Sequence, residues 1–238
     1  MRIFLDFIRI VKFNGFYNGI KRFRDELFEN YFFDFFNKTQ TRQIVIKKNY
    51  RKILQVNKKI KICLGDKWYQ PTYSTPLIKS LNFLKKDILS YKNYEVCFID
   101  IGCGKGKPNY IFSKHFPHIA SYGIEIFNYY KNFFIHNMKL VTKNFYFINK
   151  NALDINVKIF QKKKFIIIHN KNTFSGYNLT KILKKFMKLN IKTILIYNNP
   201  YFHTKILNFK YQYTKPQLIF KTSGWHKNYK SYIYSFEK

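Results

Sequence analysis

Five short apolar runs, separated by segments long enough to form helices, constrain the fold of this chain most strongly. They lie at 96–101, 120–126, 145–148, 165–169 and 193–197. Continuous apolar strands joined by helical crossovers are typical of parallel sheets with helices on both faces. Two further runs, 218–222 and 231–236, predict a closing pair that can run antiparallel. The pattern predicts an α/β fold with a seven-stranded, mostly parallel, doubly wound Rossmann-like sheet.

The region before this pattern predicts a helical extension. Apolar residues recur every three to four positions on both sides of an early glycine, so residues 1–40 are expected to form two amphipathic helices. Residues 41–68 are Lys-rich without a clear element, and we interpret them as a connecting segment. A helix capped by Thr75, with Pro76 in its first turn, is predicted to follow. The main domain is therefore expected to span residues 69–238.

The chain is strongly basic. It contains 44 Lys and Arg against 12 Asp and Glu, a formal net charge of +32. Because 46% of the residues are hydrophobic, a disordered polycation is excluded. A basic surface attracts phosphate groups and anionic membranes, although a solvated, Lys-coated surface is the alternative. We expect at most weak association with nucleic acid or with an anionic membrane surface.

The cysteines and histidines predict no metal site and no disulfide framework. Cys63, Cys97 and Cys103 are too few and too far apart for either. His115 and His118 have no acid or cysteine nearby in the sequence. Without a recognisable secretory or membrane-spanning segment, the sequence predicts a cytoplasmic protein. Basic aromatic helices at the N-terminus leave peripheral membrane association open, and the oligomeric state stays undetermined.

A glycine-rich turn follows the first predicted strand. Residues 100–106 read Asp-Ile-Gly-Cys-Gly-Lys-Gly. Glycines allow a tight turn and a close ligand, while the amides that open the next helix can face an anion. A dinucleotide fingerprint would need a glycine at Lys107, so the spacing departs from it. The turn, with an acid two residues before its first glycine, resembles motif I of class I methyltransferases that use S-adenosylmethionine.

Acidic residues are scarce in the main domain. From residue 100 onward they are Asp100, Glu125, Asp154 and Glu237, and the first three lie at or just beyond the ends of the first three predicted strands. Ligands of open α/β sheets bind outside the carboxyl ends of the strands. The alternative is that Glu125 and Asp154 pair with surface lysines.

The resemblance implies a cofactor site for S-adenosylmethionine. Asp100 and the backbone of the glycine turn would position its methionine part, Glu125 would accept the ribose hydroxyls, and Asp154 would lie near the adenine. The cofactor-binding residues implied are Asp100, Gly102, Cys103, Gly104, Gly106, Glu125, Asp154, Tyr69 and Thr72.

A second resemblance precedes the glycine turn. Tyr69 and Thr72 enclose a Tyr-Gln-Pro-Thr stretch that is similar to the Tyr-Glu-Pro-Thr stretch of a group of small bacterial class I methyltransferases. Gln70 replaces the acid of that group, and the proline that the group tends to carry after the fourth strand is missing here. Both departures concern substrate contacts rather than cofactor binding.

The ends of the fourth and fifth strands carry candidate residues on the side of the methyl acceptor. His169 can act as a general base near neutral pH, with Asn170 beside it, although a structural histidine at the sheet edge is the alternative. Asn199, Pro200 and Tyr201 resemble the Asn-Pro-Pro-Tyr motif of amino-methylating enzymes, although they follow the fifth strand rather than the fourth, and they are candidate substrate residues.

The resemblance implies methyl transfer to an unidentified acceptor, which can be a small molecule, a component of the cell envelope or a protein. An RNA or DNA methyltransferase is one alternative, because basic charge and dense aromatic residues suit nucleic acid. A catalytically silent, methyltransferase-like binding module is the other.

Overall fold

The computed structural model of the chain describes residues 7–8, 11–12, 15–41, 44–45, 68–69, 72–171, 173–211, 215–224 and 230–237. Most of the first predicted N-terminal helix lies outside these residues. The described part of the N-terminal region contains helix α1 (Phe16–Leu27), a π-helical turn (Phe28–Phe32) and helix α2 (Phe33–Asn37). Strands β1 (Ile44–Val45) and β2 (Trp68–Tyr69) then form a short antiparallel pair.

The main domain alternates helices and strands, because its short apolar strands need helices to cover both faces of the sheet. In chain order the elements are α3 (Ser74–Leu89), β3 (Val96–Ile101), α4 (Lys107–His115), β4 (Ala120–Glu125), α5 (Lys131–Lys139), β5 (Phe145–Asn149), β6 (Phe165–Asn170), α6 (Gly176–Met187), β7 (Lys192–Asn198), α7 (His203–Leu207), β8 (Lys215–Ser223) and β9 (Lys230–Glu237).

The large sheet has seven strands in the order β5-β4-β3-β6-β7-β9-β8. The first five of these are parallel, and β9 runs antiparallel to both β7 and β8. The predicted mostly parallel, doubly wound sheet with an antiparallel closing pair is therefore confirmed. Chain progression reverses between β3 and β6, which makes the carboxyl ends of these two strands the switch point where such sheets bind ligands.

Two apolar cores lie on opposite faces of the sheet. One core packs α6 against the inward side chains of the central strands, including Ile99 and Ile168. The other packs α3, α4 and α5 against the opposite side, including Phe98 and Ile167. Because the central strands are packed on both faces, the switch point between β3 and β6 is rigid. Within the described residues, no helix combines the length and the apolar character needed to cross a membrane.

The N-terminus of α3 differs from the sequence prediction. Thr75 was expected to cap this helix, but the helix begins at Ser74, and the cap comes from Glu29 in the N-terminal region. Oε1 of Glu29 accepts hydrogen bonds from the Ser74 amide at 2.7 Å and from the Ser74 hydroxyl at 2.6 Å. The other carboxylate oxygen, Oε2, pairs with Nζ of Lys107, which is fully buried. A carboxylate satisfies unpaired amides at a helix start better than a hydroxyl does, because it also carries charge.

Further contacts join the N-terminal helices to the main domain. Phe33 is buried in the core beside α4, with its ring 6.1 Å from that of Tyr110. The amide of Gln40 donates to Oδ1 of Asn137 at 2.7 Å, and Nδ2 of Asn137 donates to the carbonyl of Lys105 at 2.8 Å. These contacts place the N-terminal region against the back of the glycine turn. The division of the chain at residues 40 and 68 stays a prediction.

Candidate active site

Asp100 and His169 meet at the switch point of the sheet. They are direct neighbours in the parallel register of β3 and β6, so their side chains leave the same face. Nδ1 of His169 lies 2.6 Å from Oδ1 of Asp100, and the two side chains are 1% and 3% exposed. Because an ionised carboxylate only accepts hydrogen bonds, the neutral imidazole tautomer that suits this contact carries its proton on Nδ1 and a lone pair on Nε2.

Three buried polar atoms at this point have no hydrogen-bond partner among the described residues. They are Oδ2 of Asp100, Nε2 of His169 and Oδ1 of Asn170. Asn170 is itself held in place, because its Nδ2 donates to the carbonyl of Ile101 at 3.3 Å. Buried polar atoms are nearly always paired, so a group of unpaired ones at a switch point indicates a place for a polar ligand.

The glycine turn between β3 and α4 has backbone angles that are unfavourable for residues with a side chain. Gly102, Gly104 and Gly106 have φ angles of 77°, 50° and 76°. A Cβ atom at Gly102 would lie 2.3 Å from Cγ2 of Thr173, and one at Gly106 would lie 2.5 Å from the ring of Phe134. The turn therefore requires glycine both for its backbone angles and for the packing of its neighbours.

Glu125 holds the glycine turn from the end of β4. Its Oε2 accepts from the amide of Gly104 at 2.9 Å, and its Oε1 accepts from the amide of Phe127 at 3.1 Å. Burial raises the pKa of Glu125 to about 7, although these backbone hydrogen bonds favour the ionised form. Each carboxylate oxygen keeps a second lone pair, so the group can still accept from two hydroxyls of a ligand.

Cys103 and Asp154 are the other cofactor candidates in this part of the sheet. Cys103 is buried, and burial raises the pKa of its thiol well above the usual range, so this residue offers its backbone rather than a reactive sulfur. Asp154 is exposed in the single turn Ala152–Asp154 that follows β5.

The segment before α3 lies beside the end of β6. Thr72 is buried, and Nζ of Lys171 lies 5.5 Å from the centroid of the Tyr73 ring. The backbone of Tyr69 belongs to β2, but its side chain, Gln70 and Pro71 lie outside the described residues. The predicted roles of Tyr69 and Thr72 stay predictions.

The predicted substrate residues form a turn at the end of β7. Asn199 has a φ of 53°, its amide donates to the carbonyl of Lys230 at 2.8 Å, and its carbonyl accepts from the amide of Tyr201 at 2.8 Å. Pro200 lies between them, and Tyr201 is 83% exposed. Because β7 is the parallel neighbour of β6, this turn lies on the same edge of the sheet as His169.

Sequence reasoning missed two groups that support the site. Thr173 packs against Gly102, and the buried pair of Glu29 with Lys107 fixes the start of α4. A signal for the pair was present: a lysine at the first position of a helix is unfavourable beside the helix dipole unless a carboxylate accompanies it. The identity of that carboxylate was not readable from the sequence.

Comparisons with known proteins agree with this geometry. A family model described as "Putative methyltransferase" matches residues 94–170, the segment that runs from the start of β3 to the end of β6. It contains the glycine turn, Glu125 and His169. No curated protein matches the sequence of this chain significantly.

Solved structures of methyltransferases resemble the chain at low identity. An rRNA methylase from Streptococcus thermophilus is 10% identical, with 68% of this chain and 96% of that chain covered and a TM-score of 0.49. A precorrin-6y C5,15-methyltransferase from Geobacter metallireducens is 17% identical, with 67% and 88% covered and a TM-score of 0.44.

The strand order and the matched segment together define a Rossmann-like α/β methyltransferase domain. The match over residues 94–170 agrees with the methyltransferase activity that the sequence predicted, and neither the fold nor the match identifies the acceptor of the methyl group. The finer resemblance through the Tyr-Gln-Pro-Thr stretch stays a prediction.

Proposed function

We propose that this chain transfers a methyl group from S-adenosylmethionine to an acceptor that binds beside His169. The observation that carries the proposal is the buried pair of Asp100 and His169, whose outer atoms Oδ2 and Nε2 lack partners among the described residues next to a glycine turn. A purely structural pair in this position would be expected to have its remaining polar atoms satisfied.

The residues present fit this cofactor. The glycine turn offers backbone without side chains, Asp100 offers a carboxylate oxygen for the ammonium group, and Glu125 offers lone pairs for the two ribose hydroxyls. Asp154, on its exposed turn, is assigned to the adenine amine. When bound, the cofactor supplies a methyl group on a positively charged sulfur, and the carbon–sulfur bond breaks as the acceptor atom bonds to the carbon.

His169 is assigned the role of general base. With its proton held on Nδ1 by Asp100, its Nε2 can take the proton that the acceptor atom loses. Asn170 is assigned to orient the acceptor through its unpaired Oδ1. Tyr201 and the turn it shares with Asn199 and Pro200 would contact the acceptor from the neighbouring strand end.

Calorimetry tests the cofactor assignment. We expect the full chain to bind S-adenosylmethionine and its demethylated product, and Gly104→Val and Glu125→Ala each to weaken binding by about tenfold or more. Lys164→Ala serves as the matched control and should bind normally, because this 66% exposed lysine directly precedes β6 and so lies at the opposite edge of the sheet from the carboxyl ends of the strands. A folded wild-type protein that binds neither compound would overturn the proposal.

Transfer of labelled methyl groups into a fractionated extract tests the reaction without prior choice of acceptor. Label in small molecules, envelope components or protein supports methyl transfer to an acceptor of that class. Label in RNA or DNA supports the alternative of a nucleic-acid methyltransferase. Cofactor binding with no label in any fraction contradicts methyl transfer and indicates a silent binding module.

A further inference from the structure

The helices of the N-terminal region expose their apolar side chains. Phe16, Phe35 and Phe36 are 71%, 75% and 67% exposed, and they belong to a larger set that we call the apolar ridge. The ridge consists of Phe16, Tyr17, Ile20, Phe28, Phe32, Phe35 and Phe36. Single exposed apolar residues are ordinary, but a continuous set on one helical segment marks an interaction surface.

The buried face of the same segment carries two carboxylates beside one aromatic ring. Asp25, Glu29 and Phe33 follow each other at intervals of four residues, and all three are buried. A surface helix of a globular protein normally buries its apolar face and exposes its charges. Here Asp25 and Glu29 are buried, where Glu29 binds Ser74 and Lys107, whereas the rings of the apolar ridge are exposed.

Ring contacts join part of the ridge. Phe28, Phe32 and Phe36 recur at intervals of four residues, and the π-helical turn Phe28–Phe32 lies within this stretch. The ring of Phe36 lies 6.0 Å from that of Phe32 and 5.4 Å from that of Phe35 between centroids.

Cationic side chains lie among the exposed residues of this segment that the structure describes. Lys21 lies with Nζ 4.1 Å from the ring centroid of Tyr17, and Arg24 and Lys38 are exposed. The remaining described carboxylate of this segment, Asp34, accepts hydrogen bonds from Thr39 and Thr41. Within the described side chains of residues 15–41, the exposed surface therefore combines apolar rings with cations.

We propose that the apolar ridge binds the surface of an anionic membrane. Phenylalanine and isoleucine side chains enter the boundary between headgroups and acyl chains, while flanking lysine and arginine side chains attract anionic headgroups. Single-stranded RNA fits less well, because bases stack on open ring faces and Phe36 packs against both Phe32 and Phe35, at 6.0 and 5.4 Å between centroids. The inference is independent of the cofactor site.

Co-sedimentation of the full chain with lipid vesicles tests the proposal. Vesicles of phosphatidylcholine are compared with vesicles that also contain about 30% phosphatidylglycerol, at about 150 mM salt. We expect binding to the anionic vesicles, and we expect Phe35→Ser combined with Phe36→Ser to lower the partition coefficient by about tenfold or more. Tyr94→Ser, at a ring that is 67% exposed like that of Phe36, is the matched control and should bind like the wild type.

Two results would overturn this inference. The first is an absence of binding of the wild type to either kind of vesicle, and the second is undiminished vesicle binding by the double variant. In the second case, a loss of affinity for single-stranded RNA, or of a dimer in sedimentation velocity, would identify RNA or a second copy of the chain as the occupant of the ridge. Circular dichroism and urea unfolding show whether the double variant is folded, and neither measurement depends on the cofactor site.

Discussion

Nδ1 of His169 lies 2.6 Å from Oδ1 of Asp100, although the two residues are 69 positions apart in the chain. The contact exists because β3 and β6 are parallel neighbours at the point where the sheet reverses its order of strands. It links the residue that opens the glycine turn to the histidine on the acceptor side. The cofactor side and the acceptor side of the proposed site are therefore mechanically joined.

His169→Gln is predicted to slow methyl transfer by about a hundredfold to ten-thousandfold, since glutamine cannot take up a proton at neutral pH. The affinity for S-adenosylmethionine should change by less than about threefold, because the residue faces the acceptor in our proposal. The measurements are the rate of label transfer into the acceptor fraction and calorimetry. An unchanged rate would make His169 a structural residue of the sheet edge.

Gly102→Ala is predicted to destabilise the protein by about 2–4 kcal/mol, because a positive φ and a crowded neighbour act together there. A Cβ atom at this position would lie 2.3 Å from Cγ2 of Thr173. Gly15→Ala is the matched control: its φ is 73°, but a Cβ there meets no described atom within 4 Å. It should lose only about 1–2 kcal/mol, as measured by urea unfolding. Equal losses for the two variants would show that crowding by Thr173 is unimportant.

Glu29→Ala is predicted to destabilise the protein by about 3–5 kcal/mol, because it leaves the fully buried Lys107 without its carboxylate and removes the cap of α3. Glu29→Gln combined with Lys107→Met should be less harmful, since no unpaired buried charge remains. Unfolding in urea gives both values. The control is Lys164→Ala, which breaks an ion pair with Glu95 where the lysine side chain is 66% exposed, and it should change stability little.

If Glu29→Ala destabilised the protein no more than Lys164→Ala does, the N-terminal region would not stabilise the main domain through Glu29. The result also bears on the division of the chain at residue 40. A large loss would mean that a domain beginning at residue 69 lacks a cap and a buried partner that it needs.

The affinity for S-adenosylmethionine is predicted to rise as pH increases through about 7. Burial raises the pKa of Glu125 from 4.5 to about 7, so below that pH the carboxyl is largely protonated in the free protein. An ionised carboxylate accepts from both ribose hydroxyls, whereas the protonated group has lost part of that capacity. The same shift means that the neutral form stabilises the fold fully below about pH 4.5 and that this contribution is lost as pH rises through about 7.

Calorimetry between about pH 6 and pH 8 measures this dependence, with Glu125→Gln as the control whose affinity should be low and independent of pH in that range. A wild-type affinity that stays constant across the range would mean that Glu125 does not bind the cofactor through its ionised form.

The local sequence pattern was sufficient to predict the strands of the sheet. The strand Val96–Ile101 has the predicted bounds, and Phe165–Asn170 differs from its prediction by one residue, because continuous apolar runs of this length have few other ways to be buried. The glycine turn was likewise predicted from residue types, since positive φ angles restrict the choice of residue at Gly102 and Gly106. Nothing in local sequence, however, specified that Thr173 would pack against that turn.

The sequence by itself determined which segments become strands, where the backbone turns after β3, and which acids stand at strand ends, because these depend on residues close together in the chain. Only the tertiary structure decided that Asp100 pairs with His169, that Glu29 rather than Thr75 caps α3, and that Asp25 and Glu29 of the N-terminal helices are buried. Each of these depends on a partner far along the chain. A buried charge on one element is stable only beside a specific group on another, and the periodicity of a single helix does not contain that information.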